Sequence, residues 1–198
     1  MERSPASSLT DPIFPGRWSP RSFSDEPVTE EELAAVFEAA RWAPSWMNNQ
    51  PWVFCYETNG PDREAMESII MEFNRYWSVK APVIGLIAVR STLDGFMART
   101  AEFDTGAAVM SMAIQAAKLG LIMHVLGGIE VELAHELTGL DPETTTILGA
   151  FAIGRQGDGS NLTEKHQGRE RPSDRFPTEA FAFKGLRPGP RPSEEPSP

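Results

Sequence analysis

The chain has 198 residues, 40% hydrophobic and 23% charged, with a formal net charge of −10. This size favours one domain over two, the acidity argues against a nucleic-acid partner, and no apolar run approaches the roughly 20 residues that a membrane-spanning helix needs. A single cysteine, Cys55, excludes an internal disulfide and a cysteine-held metal centre. Inside an apparent strand it reads as a core thiol. His124, His135 and His166 are scattered, so no metal site is expected.

Residues 1–10 are rich in Ser and Pro and read as a flexible arm without the apolar stretch of a secretory signal, so the expected location is cytoplasmic. One domain is expected over 11–185, followed by a disordered Pro-rich tail over 186–198. Thr29 with Glu32 three residues on forms a capping box, and Leu33, Val36, Phe37 and Ala40 recur at helical spacing, predicting a helix from Glu30 to Trp42 that Pro44 terminates. The run R-W-A-P-S-W-M-N-N-Q-P-W-V-F neither continues that helix nor makes a minimal turn. W-V-F-C-Y-E then predicts a strand, P-D-R-E-A-M-E-S-I-I-M-E-F-N-R-Y-W one helix with Pro61 in its first turn, and P-V-I-G-L-I-A-V-R a buried strand. A long helix is expected from near Gly95 to Leu119, apolar on several faces, with Gly106, Ala107 and Ala108 permitting close approach of another helix. L-I-M-H-V-L-G-G reads as a strand ending in a glycine pair, V-E-L-A-H-E-L-T-G as a short helix closed by Gly139, and T-T-T-I-L-G-A-F-A-I-G as a strand. Without a regular βαβ alternation, the expected fold class is α+β.

Fourteen of the eighteen basic residues are Arg, with local groups at Arg17 and Arg21 and at Arg169, Arg171 and Arg175. The rigid guanidinium fork suits phosphate, so an acidic protein with clustered arginines points to a small phosphorylated ligand. No nucleophile elbow, P-loop, zinc motif or dinucleotide fingerprint is present, which leaves the chemistry to a bound cofactor.

Taken together, R-W-S-P-R-S-F (Arg17 to Phe23), A-A-R-W-A-P-S-W-M-N-N-Q-P-W (Ala39 to Trp52), Asn74 ahead of K-A-P-V-I, D-T-G-A-A-V (Asp104 to Val109), G-L-I-M-H-V-L-G-G-I-E (Gly120 to Glu130) and S-D-R-F-P-T-E resemble the FMN-dependent nitroreductase family. The resemblance covers roughly residues 15 to 185. It implies a mainly antiparallel sheet flanked by helices, an intertwined homodimer with two FMN sites at the interface, and reduction of nitro compounds, quinones or related acceptors by NADH or NADPH. The family also holds dehydrogenating, dehalogenating and flavin-fragmenting enzymes, and a non-catalytic flavin-binding dimer is a further alternative, so the fold does not fix the acceptor.

By that resemblance, Arg17, Ser19 and Arg175 hold the FMN phosphate. Trp18 stands where a basic residue or histidine is frequent, leaving Arg169 or Arg171 to compensate. Arg21 matches the cation beside the flavin N1–C2=O edge, where it favours the reduced, negatively charged ring. Asn74 matches the amide on the pyrimidine side, and Trp77 replaces a second cation. Leu126, Gly127 and Gly128 close the strand from which a backbone N–H reaches flavin N5, with Gly127 and Arg21 as the groups acting on the reacting ring. Pro44, Ser45, Trp46 and Asn48 match the segment that crosses from the second subunit to lie along the flavin, with Trp46 placed to set the width of the pocket.

Overall fold

The Thr29 hydroxyl accepts a hydrogen bond from the Glu32 N–H while the Glu32 carboxylate accepts one from the Thr29 N–H, closing the reciprocal cap that the sequence predicts. In this computed structural model, which describes residues 3, 5, 7–91 and 96–189, that cap opens helix α2. The elements in chain order are α1 (Ile13–Gly16), α2 (Glu30–Arg41), β1 (Trp52–Glu57), α3 (Arg63–Ser68), α4 (Glu72–Ser78), β2 (Val83–Arg90), α5 (Phe96–Lys118), β3 (Ile122–Leu126), α6 (Val131–Thr138), β4 (Thr145–Gly154) and α7 (Glu164–Gln167). Short 3-10 turns cover Trp46–Asn48 and Thr178–Ala180. Gly95, the expected start of the long helix, lies outside the described residues, as do 1, 2, 4 and 6 of the expected flexible arm and 190–198 of the expected tail.

The four strands form one antiparallel sheet in the order β1-β2-β4-β3. The two central strands are buried on both faces, and each face carries its own apolar layer. On one side Ile84, Leu86 and Ala88 of β2 pack with Met66, Ile69, Ile70 and Trp77 of the α3–α4 region. On the other, Val83 and Ile87 pack with Leu33 and Val36 of α2 and with Ala108, Met112 and Ala116 of α5. Alternation along β2 sends successive side chains to opposite layers, which is how one strand serves both. The architecture is the expected α+β. Among the described residues no helix is long and apolar enough to cross a membrane.

The single helix expected after Pro61 is two helices. Ile70 leaves the helix to pair with Ile129, Met71 N–H donates to Gly128 O at 3.0 Å, and Glu130 N–H donates to Ile69 O at 2.8 Å. Local helical propensity is overridden because these backbone bonds draw Ile69 and Ile70 into the core and fasten the segment to the loop after β3. The inner face of helix α5 is enclosed, while Phe103 is 79% and Met110 42% exposed in the single chain. Cys55 is half-buried against the first layer, and burial pushes its thiol pKa up, away from reactivity.

Candidate functional site

Residues 17–23 run in extended and turn conformations between α1 and α2, and they hold their shape through contacts with a distant part of the chain. Glu170 Oε1 accepts hydrogen bonds from the backbone N–H groups of Arg21 (2.7 Å) and Ser22 (2.9 Å). The buried Ser22 hydroxyl donates to Asn161 Oδ1 and accepts from Gly159 N–H, each at 2.9 Å, and Phe23 pairs with Gln156. A charge-assisted pair of bonds from one carboxylate thus fixes the backbone from which Arg21 projects.

Beside this segment lies a cleft of about 510 Å³ lined by six arginines: Arg3, Arg17, Arg21, Arg169, Arg171 and Arg175. Trp18, Ser19, Ser173 and His124 complete much of its wall. Arg17 donates to Ser19 Oγ at 3.3 Å, while Arg175 Nη1 is held by Ser173 and the Asp174 carbonyl. Burial lowers the pKa of Arg17, and the nearby Arg175 lowers it further. Arg3 is lowered in the same way, by burial and then by Arg175 and Arg17, with Asp174 acting in the opposite sense. Positive groups that repel one another across a half-buried concavity make a site for an anion, and phosphate matches their fork geometry. The expected Arg17, Trp18, Ser19, Arg21 and Arg175 therefore meet in one place, and Arg169 and Arg171 join them.

His124 on β3 faces this cleft from below. Its Nδ1 pairs with Pro20 O at 2.8 Å, and its pKa is pushed down to about 4. Burial is the main cause; the bond to Pro20 works against it, and Arg21 and Arg17 reinforce it. The imidazole is neutral at physiological pH and adds no charge to the arginines. In an unfolded chain it titrates near 6.5, so between pH 6.5 and about 4 the unfolded state binds the extra proton. Stability is fully present above 6.5 and is lost as pH falls through that window, by up to about 3 kcal/mol. Urea unfolding at pH 7 and pH 4.5 should show this loss in the wild type and a smaller one in His124→Gln.

Three residues beyond His124, an advance of about 10 Å along a strand, β3 gives way to the glycine pair. A Cβ on Gly128 would stand 2.5 Å from the Phe73 ring and 2.6 Å from Asn74 Nδ2, so glycine here lets α4 bring the Asn74 amide against the loop. Among the described residues, apart from its chain neighbours, nothing lies within 4 Å of the place a Cβ would take on Gly127, whose backbone is open to an approaching group. Leu126 is core, packed in the layer with Trp77 and Ile129 and paired with Ala150 of β4. Tyr76 of α4 stacks on His166 of α7 with centroids 5.6 Å apart and hydrogen-bonds to it, tying the Asn74 helix to the segment that carries Glu170.

Trp77, at the position where the resemblance has a second cation, is a core residue. It is 1% exposed, stacked 6.5 Å from Phe23, and Arg21 Cζ lies 5.9 Å from its ring centroid. A charged side chain at this position would be stranded in the core. Trp77 instead forms the platform under Arg21, a cation–π contact.

None of Pro44, Ser45, Trp46 and Asn48 lines the arginine cleft of the same chain. Their segment rests on α5, where Trp46 N–H donates to Asp104 Oδ2 at 2.9 Å. Met47, Asn48 and Gln50 all have positive φ, at 51°, 57° and 48°. Left-handed backbone at non-glycine residues is costly, and its concentration in one exposed stretch marks a surface built for contact.

Arg3, His124, Asn161 and Glu170 were not expected in the site. Glu170 carried one sequence signal, an acid flanked by Arg169 and Arg171; Arg3 carried none beyond its type.

The family model described as "Nitroreductase family" matches residues 15–77. Over 71 residues the chain is 37% identical to a nitrobenzene nitroreductase of Ectopseudomonas oleovorans, covering 36% of this chain and 31% of that relative. Over 68 residues it is 38% identical to a Streptomyces coelicolor protein whose name proposes an NADH dehydrogenase/NAD(P)H nitroreductase, covering 34% of each. The chain thus matches about a third of the length of these curated relatives. A crystal structure of an oxidoreductase containing FMN superimposes with a TM-score of 0.87 at 34% identity, covering 94% of this chain and 96% of that one. With the α+β fold shared across nearly the whole of both chains, this protein belongs to the nitroreductase family.

Proposed function

We propose that this protein is an FMN-dependent oxidoreductase that passes hydride from NADH or NADPH, through flavin N5, to a nitro compound, quinone or related small acceptor. The observation that carries the reading is the arginine cleft, in which Arg3, Arg17 and Arg175 crowd like charge into one concavity. The FMN phosphate fits that charge. When bound, FMN supplies hydride acceptance and donation at N5.

Arg17, Ser19 and Arg175 would bind the phosphate. Arg21, fixed by Glu170 and resting on Trp77, would supply a positive charge that favours the reduced ring. Asn74 would offer its side-chain amide to the ring, and the backbone at Gly127 would supply an N–H to its reacting atom. The protein works as a homodimer in which a second copy covers Phe103 and Met110 and supplies Pro44, Ser45, Trp46 and Asn48 to the flavin. The exposed apolar face of α5 and the left-handed stretch beside it support this.

The test is to purify the protein, record its visible spectrum, add NADH or NADPH anaerobically, and then add a quinone or nitroarene. Bleaching by the nicotinamide and recovery with the acceptor are expected. Bound flavin that neither nicotinamide bleaches overturns the enzymatic reading. Sedimentation equilibrium tests the assembly, since a monomer that keeps one FMN per chain is incompatible with a shared site.

Arg21→Ala should retain FMN but lower its midpoint potential by about 30–60 mV, the equivalent of losing about 1.5–3 kcal/mol of charged interaction with the reduced ring. Spectroelectrochemistry on the loaded mutant measures it. An unchanged potential would remove Arg21 from this role.

A further inference from the structure

We propose that Arg3 is a third phosphate-binding cation, carried on the N-terminal arm and folded across residues 15–17 to complete the cleft begun by Arg17 and Arg175. The inference rests on the FMN reading above and adds a residue to it.

Arg3 Nη1 donates to two main-chain carbonyls, Arg17 O at 3.1 Å and Pro15 O at 3.3 Å. Those bonds place its guanidinium on the wall that Arg17 and Arg175 share. Its Nε is buried and has no hydrogen-bond partner among the described residues. A buried, unpaired guanidinium donor is unfavourable unless an acceptor reaches it. Among the described residues, Asp174 is the carboxylate that acts on Arg3, and it is outweighed by burial, Arg175 and Arg17. A phosphate dianion offers several strong acceptors and enough negative charge to offset that repulsion. An arginine placed only to staple the arm would have no need of a cationic wall, because a neutral amide can donate equally well to carbonyls.

That contrast sets the experiment. Arg3→Gln keeps a donor for the carbonyls and removes the charge; Arg3→Lys keeps the charge and loses the fork. FMN and riboflavin are titrated into the flavin-free full-length wild type and both variants, and each flavin-free protein is melted. Arg3→Gln is expected to lose FMN affinity by about tenfold or more, with riboflavin affinity and the melting temperature unchanged. Arg3→Lys should recover part of the loss. An FMN-to-riboflavin ratio equal to wild type in Arg3→Gln overturns the assignment, as does an equal fall for both flavins with a lower melting temperature, which marks a staple. If Arg3→Gln does not fold, Arg3→Lys decides: FMN preference must be intermediate, and a full wild-type ratio with a lost melting temperature overturns the proposal. A wild type that does not prefer FMN over riboflavin overturns the parent phosphate reading and the Arg3 assignment with it.

Discussion

Arg17→Ala is expected to weaken FMN binding by about ten- to more than a hundredfold while leaving riboflavin near its wild-type affinity. A hydrogen bond to a charged group contributes about 1.5–3 kcal/mol, and only FMN carries the phosphate that receives it. Arg17 is partly buried and repelled by Arg175, so its removal relieves strain in the flavin-free protein. Its carbonyl, which accepts from Arg3, is retained in the mutant. The flavin-free protein should therefore melt no lower than wild type. Arg175→Ala should act in the same direction but less strongly, because the side chain is exposed and already engaged with Ser173 and Asp174. Fluorescence titration of both flavins is the measurement. Equal losses for the two would mean that these arginines act through folding.

Trp77→Ala should destabilise the flavin-free protein by about 3–5 kcal/mol, the range for truncating a large aromatic in a packed core. The side chain touches Phe23, His124 and Arg21 at once, so the cavity cannot close without moving the segment that carries the site. Its indole Nε1 is buried without a hydrogen-bond partner among the described residues, which makes Trp77→Phe the informative companion. Phenylalanine keeps an aromatic face and removes an unsatisfied donor, so its cost should be well below that of alanine. Urea unfolding of both variants checks the pair. A loss of 1 kcal/mol or less for alanine, on the order of a surface substitution, would show that Trp77 is not the platform described.

Where structure is decided locally, the sequence announces it. Helix α2 is legible from Thr29, Glu32 and four apolar positions because its cap and its buried stripe both lie within twelve residues. The strands are legible because burial on two faces demands short apolar runs bounded by turns. The break between α3 and α4 is not, because it is caused by Ile70 pairing with Ile129 across the sheet layer. The arginine cleft is legible in its composition and through a family resemblance at Arg17, Ser19 and Arg175. Its remaining walls are not. Arg3 joins through main-chain carbonyls, which no side-chain motif encodes, and Glu170 joins through the N–H groups of Arg21 and Ser22. The placement of Trp77 beneath Arg21 is not legible for a related reason: the two side chains meet only in the assembled layer.

The bond from Arg21 to Glu170 spans 149 positions, and this sets an order in time. On a ribosome adding about 5–20 residues per second, Arg21 leaves the tunnel roughly 7–30 s before the carboxylate that will orient it. Throughout that interval the segment Arg17–Phe23 has its cations but not its clasp. The central strand β4 ends at Gly154, only sixteen positions ahead of Glu170, so the complete sheet precedes the clasp by about 1–3 s at that rate. A nascent chain stalled with Gly154 emerged and Glu170 still in the tunnel would have every strand while lacking the bond that shapes Arg21.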